Sequence, residues 1–184
     1  MLHIQNMFVD NIRIFARAGK GGNGLVSFRR AKFVPKGGPD GGDGGDGGSV
    51  ILEVDPHTND LRSFFYDPKL IATDGVGGQS AKKHGKNGKS VIGKVPPGTI
   101  IYRSNASSMA EATWLEREGE GIELEKIADL TEIGTRFTLC QGGIGGKGNW
   151  HFRSATNQAP TEAEMGTEGE EGVFFMELRR IADA

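Results

Sequence analysis

The chain has 184 residues, of which 30 are glycine, 7 proline and one cysteine, and 22 Lys+Arg against 24 Asp+Glu give a net charge of -2. A lone Cys140 builds no disulfide framework, no apolar run reaches the ~18 residues of a membrane span, and MLHIQNMFVDN lacks the basic-then-apolar layout of a secretory signal. A reducing, cytoplasmic setting is the expectation. The total charge conceals an asymmetry, +6 over residues 1–104 and -8 over 105–184, which suits a molecule that turns one face toward phosphate.

In chain order, Ile12, Ile14 and Ala16 alternate with Arg13, Phe15 and Arg17, the period of a strand. Gly19, Gly21, Gly22 and Gly24 follow, then a basic stretch with Phe28, Arg29, Arg30, Lys32, Phe33 and Lys36. The first large glycine block is Gly37 to Gly48. Ser49 to Asp55 and Leu61 to Tyr66 read as strands from their β-branched and aromatic content. The second block, Gly75 to Gly93, holds Lys82, Lys83, His84, Lys86, Asn87 and Lys89. Ser90 to Val95 and Thr99 to Arg103 are strands separated by a Pro96–Gly98 turn. Residues 105–132 are rich in Ala, Glu and Leu and read as a helical insertion. Ser108 and Glu111 form a capping box there, and Gly119 and Gly121 interrupt the helix. Arg136 to Cys140 is a strand ending in a buried cysteine. The third block is Gly142 to Gly148, followed by Asn149, Trp150, His151, Phe152 and Arg153, and Val173 to Arg180 is the last strand.

Inside the blocks glycine recurs every third residue: Gly38, Gly41, Gly44 and Gly47, then Gly142, Gly145 and Gly148. A period of three belongs to polyproline II, whose backbone makes no internal hydrogen bonds, and glycine at that period lets neighbouring backbones approach closely. The runs are too short and too poor in proline for a collagen triple helix. Their alternation with strands argues against a flexible linker. Short polyproline-II-like segments packed side by side are expected, the first spanning roughly 37 Å at ~3.1 Å per residue. The fold class read here is mainly β: one small barrel or sandwich, a glycine-rich projection (chiefly 19–48, 75–93 and 141–160) and a short helical insertion, all in a single domain over 1–184.

Three catalytic or ligand patterns fail. Gly88, Lys89 and Ser90 end a Walker A motif, but Lys83 stands where its first glycine is required. Asp40, Asp43 and Asp46 are three apart, not two apart as in a calcium loop, and fit better as caps on neighbouring amides. His3, His57, His84 and His151 show no metal-ligand spacing. No catalytic residue, metal or cofactor is expected in this chain. Each glycine block instead has cations and aromatics beside it. Three basic loops meeting at one tip would neutralise RNA phosphates. Aromatics in such loops can stack on unpaired bases, but Phe28, Phe33 and Phe152 read more simply as core residues. The rival reading is a protein-interaction scaffold whose acidic insertion contacts a partner protein.

GKGGNGLVSFRRAKFVPKGGPDGGDGGDGG (Gly19 to Gly48) closely resembles the N-terminal glycine-rich domain of the Obg family of GTPases. VPPGT (Val95 to Thr99), GGIGGKGN (Gly142 to Asn149) and ELRRIADA (Glu177 to Ala184) recur in the family's order. The resemblance implies a β domain carrying packed polyproline-II-like helices. It implies a Ras-like GTPase domain after residue 184, holding GTP and Mg2+, which would also be a partner for this chain. It further implies binding to the large ribosomal subunit and its 23S-type rRNA during subunit assembly. Carried over by position, the rRNA contacts would be Arg29, Arg30, Lys32 and Lys36 in one loop, and Lys82, Lys83, His84 and Lys86 in a second. Lys147, His151 and Arg153 would form the third, with Gly38, Gly41, Gly44, Gly47, Gly142, Gly145 and Gly148 structural. The chain departs from the family pattern at Ala31, Asp46, Trp150 and His151, and 104–125 is longer than is typical.

Overall fold

A computed structural model describes residues 10–118 and 121–179. The helix-interrupting role read for Gly119 and the end of the ELRRIADA motif therefore lie outside the described residues. Eight strands form two sheets: β1 (Asn11–Arg17), β2 (Val50–Val54), β3 (Lys69–Ile71), β4 (Val91–Val95), β5 (Thr99–Ser104), β6 (Leu124–Leu130), β7 (Arg136–Cys140) and β8 (Glu171–Leu178). One sheet runs β3-β1-β8-β5-β6 and the other β4-β2-β7. The β1–β3 and β2–β4 pairs are parallel and the rest antiparallel. The sheets do not close into a barrel; they stack as a small sandwich.

Period-two patterning sets that stack. Ile14 and Ala16 of β1, Val50, Leu52 and Val54 of β2, and Phe174, Met176 and Leu178 of β8 share one buried cluster with Leu139 and Cys140 of β7. Each fully buried aliphatic side chain contributes about 1.5–3 kcal/mol. The Cys140 thiol lies 3.7 Å from the Ala16 carbonyl oxygen of the facing sheet, and burial pushes its pKa up to about 12, so it stays a neutral packing group. β8 is buried on both faces. Its Val173 packs with Ala106 and with Ala112 of helix α2 (Met109–Glu118), which covers the back of the larger sheet. The Ser108 hydroxyl accepts the Glu111 N–H at 3.1 Å, while the Glu111 carboxylate reaches one residue further back, to the backbone N–H and hydroxyl of Ser107.

Three elements differ from the sequence reading. Leu61 to Tyr66 is not a strand: Arg62–Tyr66 forms helix α1. Leu61 and Phe64, three apart, are the residues it buries, and the Asp60 carboxylate accepts the Arg62 N–H at 3.1 Å where the helix begins. Among the described residues of 105–132, helix covers Met109–Glu118, and Leu124–Leu130 pairs with β5 as strand β6. β3 is too short for its pattern to register, and follows Pro68.

The topology also makes the projection. Six segments, 18–25, 39–48, 73–79, 83–90, 141–149 and 164–170, continue six of the strands without regular helix or strand pairing of their own. The chain leaves the sandwich after β1, β3 and β7 and returns into β2, β4 and β8. Near the sheets Gly19 pairs with Gly48, Thr73 with Lys89 and Glu170 with Gln141; far from them Leu25 pairs with Gly42, Gln79 with Lys83 and Glu164 with Lys147. Each of the three excursions thus ends in a loop at the far end of the bundle: 26–38, 80–82 and 150–163.

Candidate nucleic-acid interface

The bundle that carries these loops is held by lateral hydrogen bonds. In 39–48, the N–H groups of Gly42, Gly45 and Gly48 donate to the carbonyls of Gln79, Val76 and Thr73. Those of Gly44 and Gly47 donate to Gly146 and Gly143. Gly19, Gly22 and Leu25 donate to Gly48, Gly45 and Gly42, while Gly21 and Gly24 donate to Thr167 and Glu164. Successive residues of a segment therefore bond different neighbours, which is what a period of three gives. Buried backbone groups are satisfied here between segments instead of within them.

Side chains have no room along the shared edges. A Cβ added to Gly41, Gly44 or Gly47 would stand 1.8–1.9 Å from the carbonyl oxygens of Leu25, Gly22 and Gly19. One added to Gly142, Gly145 or Gly148 would stand 1.9–2.0 Å from those of Gly47, Gly44 and Gly41. Gly38 differs: its nearest neighbour would be an Arg153 guanidinium nitrogen at 3.9 Å. The sixth segment, 164–170, falls outside the expected projection. Only Gly166 and Gly169 mark it, at the same spacing of three.

The aspartates between the glycines act on backbone amides. Asp43 accepts the Gly148 N–H at 2.7 Å and Asp46 the Gly145 N–H at 2.8 Å. Asp40 accepts the Ser27 hydroxyl at 2.6 Å and the Ala81 N–H at 3.1 Å. Burial alone would raise the Asp43 carboxyl. The Gly148 N–H, the His151 hydrogen bond and the charges of His151 and His84 outweigh that and hold it below the usual carboxylate range.

At the far end the three loops are tied to one another. Asp40 joins the first two, since its backbone carbonyl also accepts the Lys82 N–H at 2.7 Å. Asp43 meets the His151 ring at 2.8 Å, bringing the third loop onto 39–48. Lys82 Nζ sits 5.0 Å from the centre of the Trp150 ring, which in turn lies 3.9 Å from the His151 ring. Asn149 is fully buried in a short 3-10 helix, Asn149–Phe152. Its side-chain oxygen accepts the Gly41 N–H at 2.9 Å, and its side-chain nitrogen donates to the carbonyls of Ser27 and Pro160, both at 3.0 Å. All three amide positions are therefore used across three parts of the chain.

Arg29, Arg30, Lys32, Lys36, Lys82, Lys83, His84 and Arg153 are exposed on this end, and Lys86 is exposed one step down the bundle, where its carbonyl accepts the Val76 N–H. His151 is partly covered by its contact with Asp43. Lys147 is exposed at the same end, where its backbone pairs with Glu164 at the start of the returning segment. Phe28 and Phe152 are half-buried, but Phe33 is 90% exposed and belongs to no core. The clamping role of Asn149 was not read from the sequence; a polar residue directly after a glycine row was its one signal.

The sequence profile of the GTP1/OBG family matches residues 9–180. The chain is 99% identical over 178 residues to "GTPase Obg" of Akkermansia muciniphila, covering 97% of this chain and 51% of that protein. It is 49% identical over 179 residues to "GTPase Obg" of Methylacidiphilum infernorum, covering 96% of this chain and 49% of that protein. With "GTPase Obg" of Clostridioides difficile it shares 47% identity over 177 residues, covering 96% of this chain and 38% of that protein. The chain spans about half the length, or less, of these curated relatives.

Proposed function

The chain belongs to the GTP1/OBG family, as its glycine-rich N-terminal domain, and from that premise we propose that it binds the large ribosomal subunit through rRNA during subunit assembly in the cytoplasm. The observation that supports this reading is the meeting of three loops at one end of a laterally bonded bundle, with Arg29, Arg30, Lys32, Lys36, Lys82 and Arg153 exposed on them. Exposed guanidinium and ammonium groups neutralise phosphates and supply affinity, while a stiff support fixes where they land. The six segments are best understood as polyproline-II-like, in keeping with their period of three and with Gly148 at φ -72°, ψ 165°. In the whole protein a GTPase domain outside this chain would hold GTP and Mg2+ and hydrolyse GTP. On this reading Arg29, Arg30, Lys32, Lys36, Lys82, Lys83, His84, Lys86, Lys147, His151 and Arg153 are the rRNA contacts.

The test is sedimentation of this chain with purified large subunits, beside a Lys82→Glu/Lys83→Glu/Lys86→Glu variant. Wild-type binding should weaken as salt rises. The variant should bind less, with a salt slope reduced by about two to three. Equal binding with an equal slope would remove the second loop from the interface.

A second reading, contact with a partner protein or with the GTPase domain, rests on exposed apolar side chains around α1, β3 and β4. Phe65, Tyr66, Ile71 and Ile92 are all exposed there, beside a groove of about 640 Å³ that includes His57, Asp60 and Lys94. No helix among the described residues is long and apolar enough to cross a membrane.

A further inference from the structure

The residue least explained by folding is Phe33. It is 90% exposed, the highest value among the exposed large hydrophobic side chains of the described residues. It sits between the paired residues of a narrow turn, where Ala31 and Val34 form a bridge and the Val34 N–H donates to the Ala31 carbonyl at 3.1 Å. Its φ is +68°, a left-handed conformation that bulky side chains rarely adopt. Glycine or asparagine would make this turn with less strain and without placing an aromatic ring in water. Neither packing nor turn geometry accounts for a phenylalanine here.

The surroundings indicate what the ring meets. Residues 26–39 contain Arg29, Arg30, Lys32 and Lys36 and no acidic side chain. Lys32 Nζ stands 5.3 Å from the ring centre, a cation–π distance. An exposed aromatic ring with a lysine beside it, in a loop of cations without a carboxylate, suits a ligand that is both aromatic and anionic. Unpaired nucleotides have that chemistry, and sequence-tolerant RNA binding combines basic grooves with aromatic rings on which bases stack. An apolar socket on a protein would not call for the surrounding cations.

We infer that Phe33 is a stacking platform for an unpaired nucleobase of RNA, with Lys32 beside it to meet the adjoining phosphate. The inference rests on the rRNA-binding reading above and adds to it a site that reads an unpaired base. The left-handed backbone aims the ring outward, so the strain belongs to function.

The experiment measures binding of this chain to purified large ribosomal subunits, with thermal melting of each variant alongside. Phe33→Trp should bind at least as tightly as wild type. Phe33→Leu, which keeps an apolar side chain but removes the ring, should bind roughly 5- to 100-fold more weakly with an unchanged salt slope. Phe33→Gly should bind as weakly as Phe33→Leu while melting no lower than wild type, because it relieves the backbone. Wild-type affinity in Phe33→Leu would overturn stacking and indicate an apolar contact with a ribosomal protein. Wild-type affinity in Phe33→Gly would overturn any contact by this side chain. The triple Glu variant separates the two levels. If it weakens binding while the Phe33 variants do not, only the stacking site fails. If none of them weakens binding, the rRNA reading fails with it.

Discussion

Gly38 and Gly44 stand six residues apart in one repeat, yet their surroundings demand opposite responses to the same added methyl group. At Gly44 the methyl would meet the Gly22 carbonyl at 1.9 Å, and that carbonyl is fixed by the neighbouring segment. At Gly38 the nearest atom, at 3.9 Å, is the end of a long arginine side chain. Gly44→Ala should therefore cost more than ~3 kcal/mol of stability, while Gly38→Ala should stay within about 0.5 kcal/mol of wild type. Urea unfolding of the two variants checks this, and equal losses would contradict the geometry. The sequence shows the period but not where the row stops being enclosed, since Gly38 carries the same spacing as its fellows. Phe33 was illegible for a related reason: a phenylalanine between lysine and valine has the same pattern whether it points into a core or out of a turn. Asp43 and Asp46 were legible, because short acceptors at glycine spacing have amides within reach wherever two such rows pack.

At the scale of elements, the six glycine segments have no hydrogen-bond ladder of their own, so each is ordered only by its neighbours. Asn149 closes this arrangement at the far end, where the segments give way to loops. Asn149→Ala would leave the Gly41 N–H and the Pro160 carbonyl unpartnered in a buried site, while the Ser27 carbonyl keeps the Asp40 N–H. A buried group stranded in this way costs about 1–3 kcal/mol. Hydrogen exchange should accelerate at Gly41 while amides of β8 in the sandwich keep their protection. Unchanged exchange at Gly41 would show that the clamp is dispensable. Strands with clean alternation, such as β1 and β2, were readable from sequence because one face of each is buried. α1 was not, because its aromatic residues favour strands while its burial follows a helical spacing of three. β6 was misread because Ala, Glu and Leu favour helix, and pairing with β5 overrides that propensity. The returning segment 164–170 carries two glycines, as 83–90 does, but no denser glycine run adjoins it in the sequence to mark it.

Across the whole molecule, the charge asymmetry of the sequence becomes a spatial one. Arg29, Arg30, Lys32, Lys36, Lys82 and Lys83 of the first two excursions stand at the loop end, with Lys20 and Lys89 near the sheets; α2 and β6 carry Glu111, Glu116, Glu118, Glu125 and Asp129 on the sandwich, and the third excursion carries Glu162, Glu164, Glu168 and Glu170. An approaching polyanion is thus drawn toward the loops and repelled from the insertion. Removing 105–125 would be a poor probe of that insertion, because Ala112 covers Val173 of the central strand β8. On the proposed reading this domain meets the large subunit end-on, through its three loops. The most direct measurement is a hydrogen-exchange footprint of this chain on purified large subunits. New protection is expected over 26–38, 80–86 and 150–160, with none over α1, α2 or β6. Protection over α2 and β6, or over α1 and its groove, with the loops unchanged, would contradict it and favour a protein partner on the sandwich.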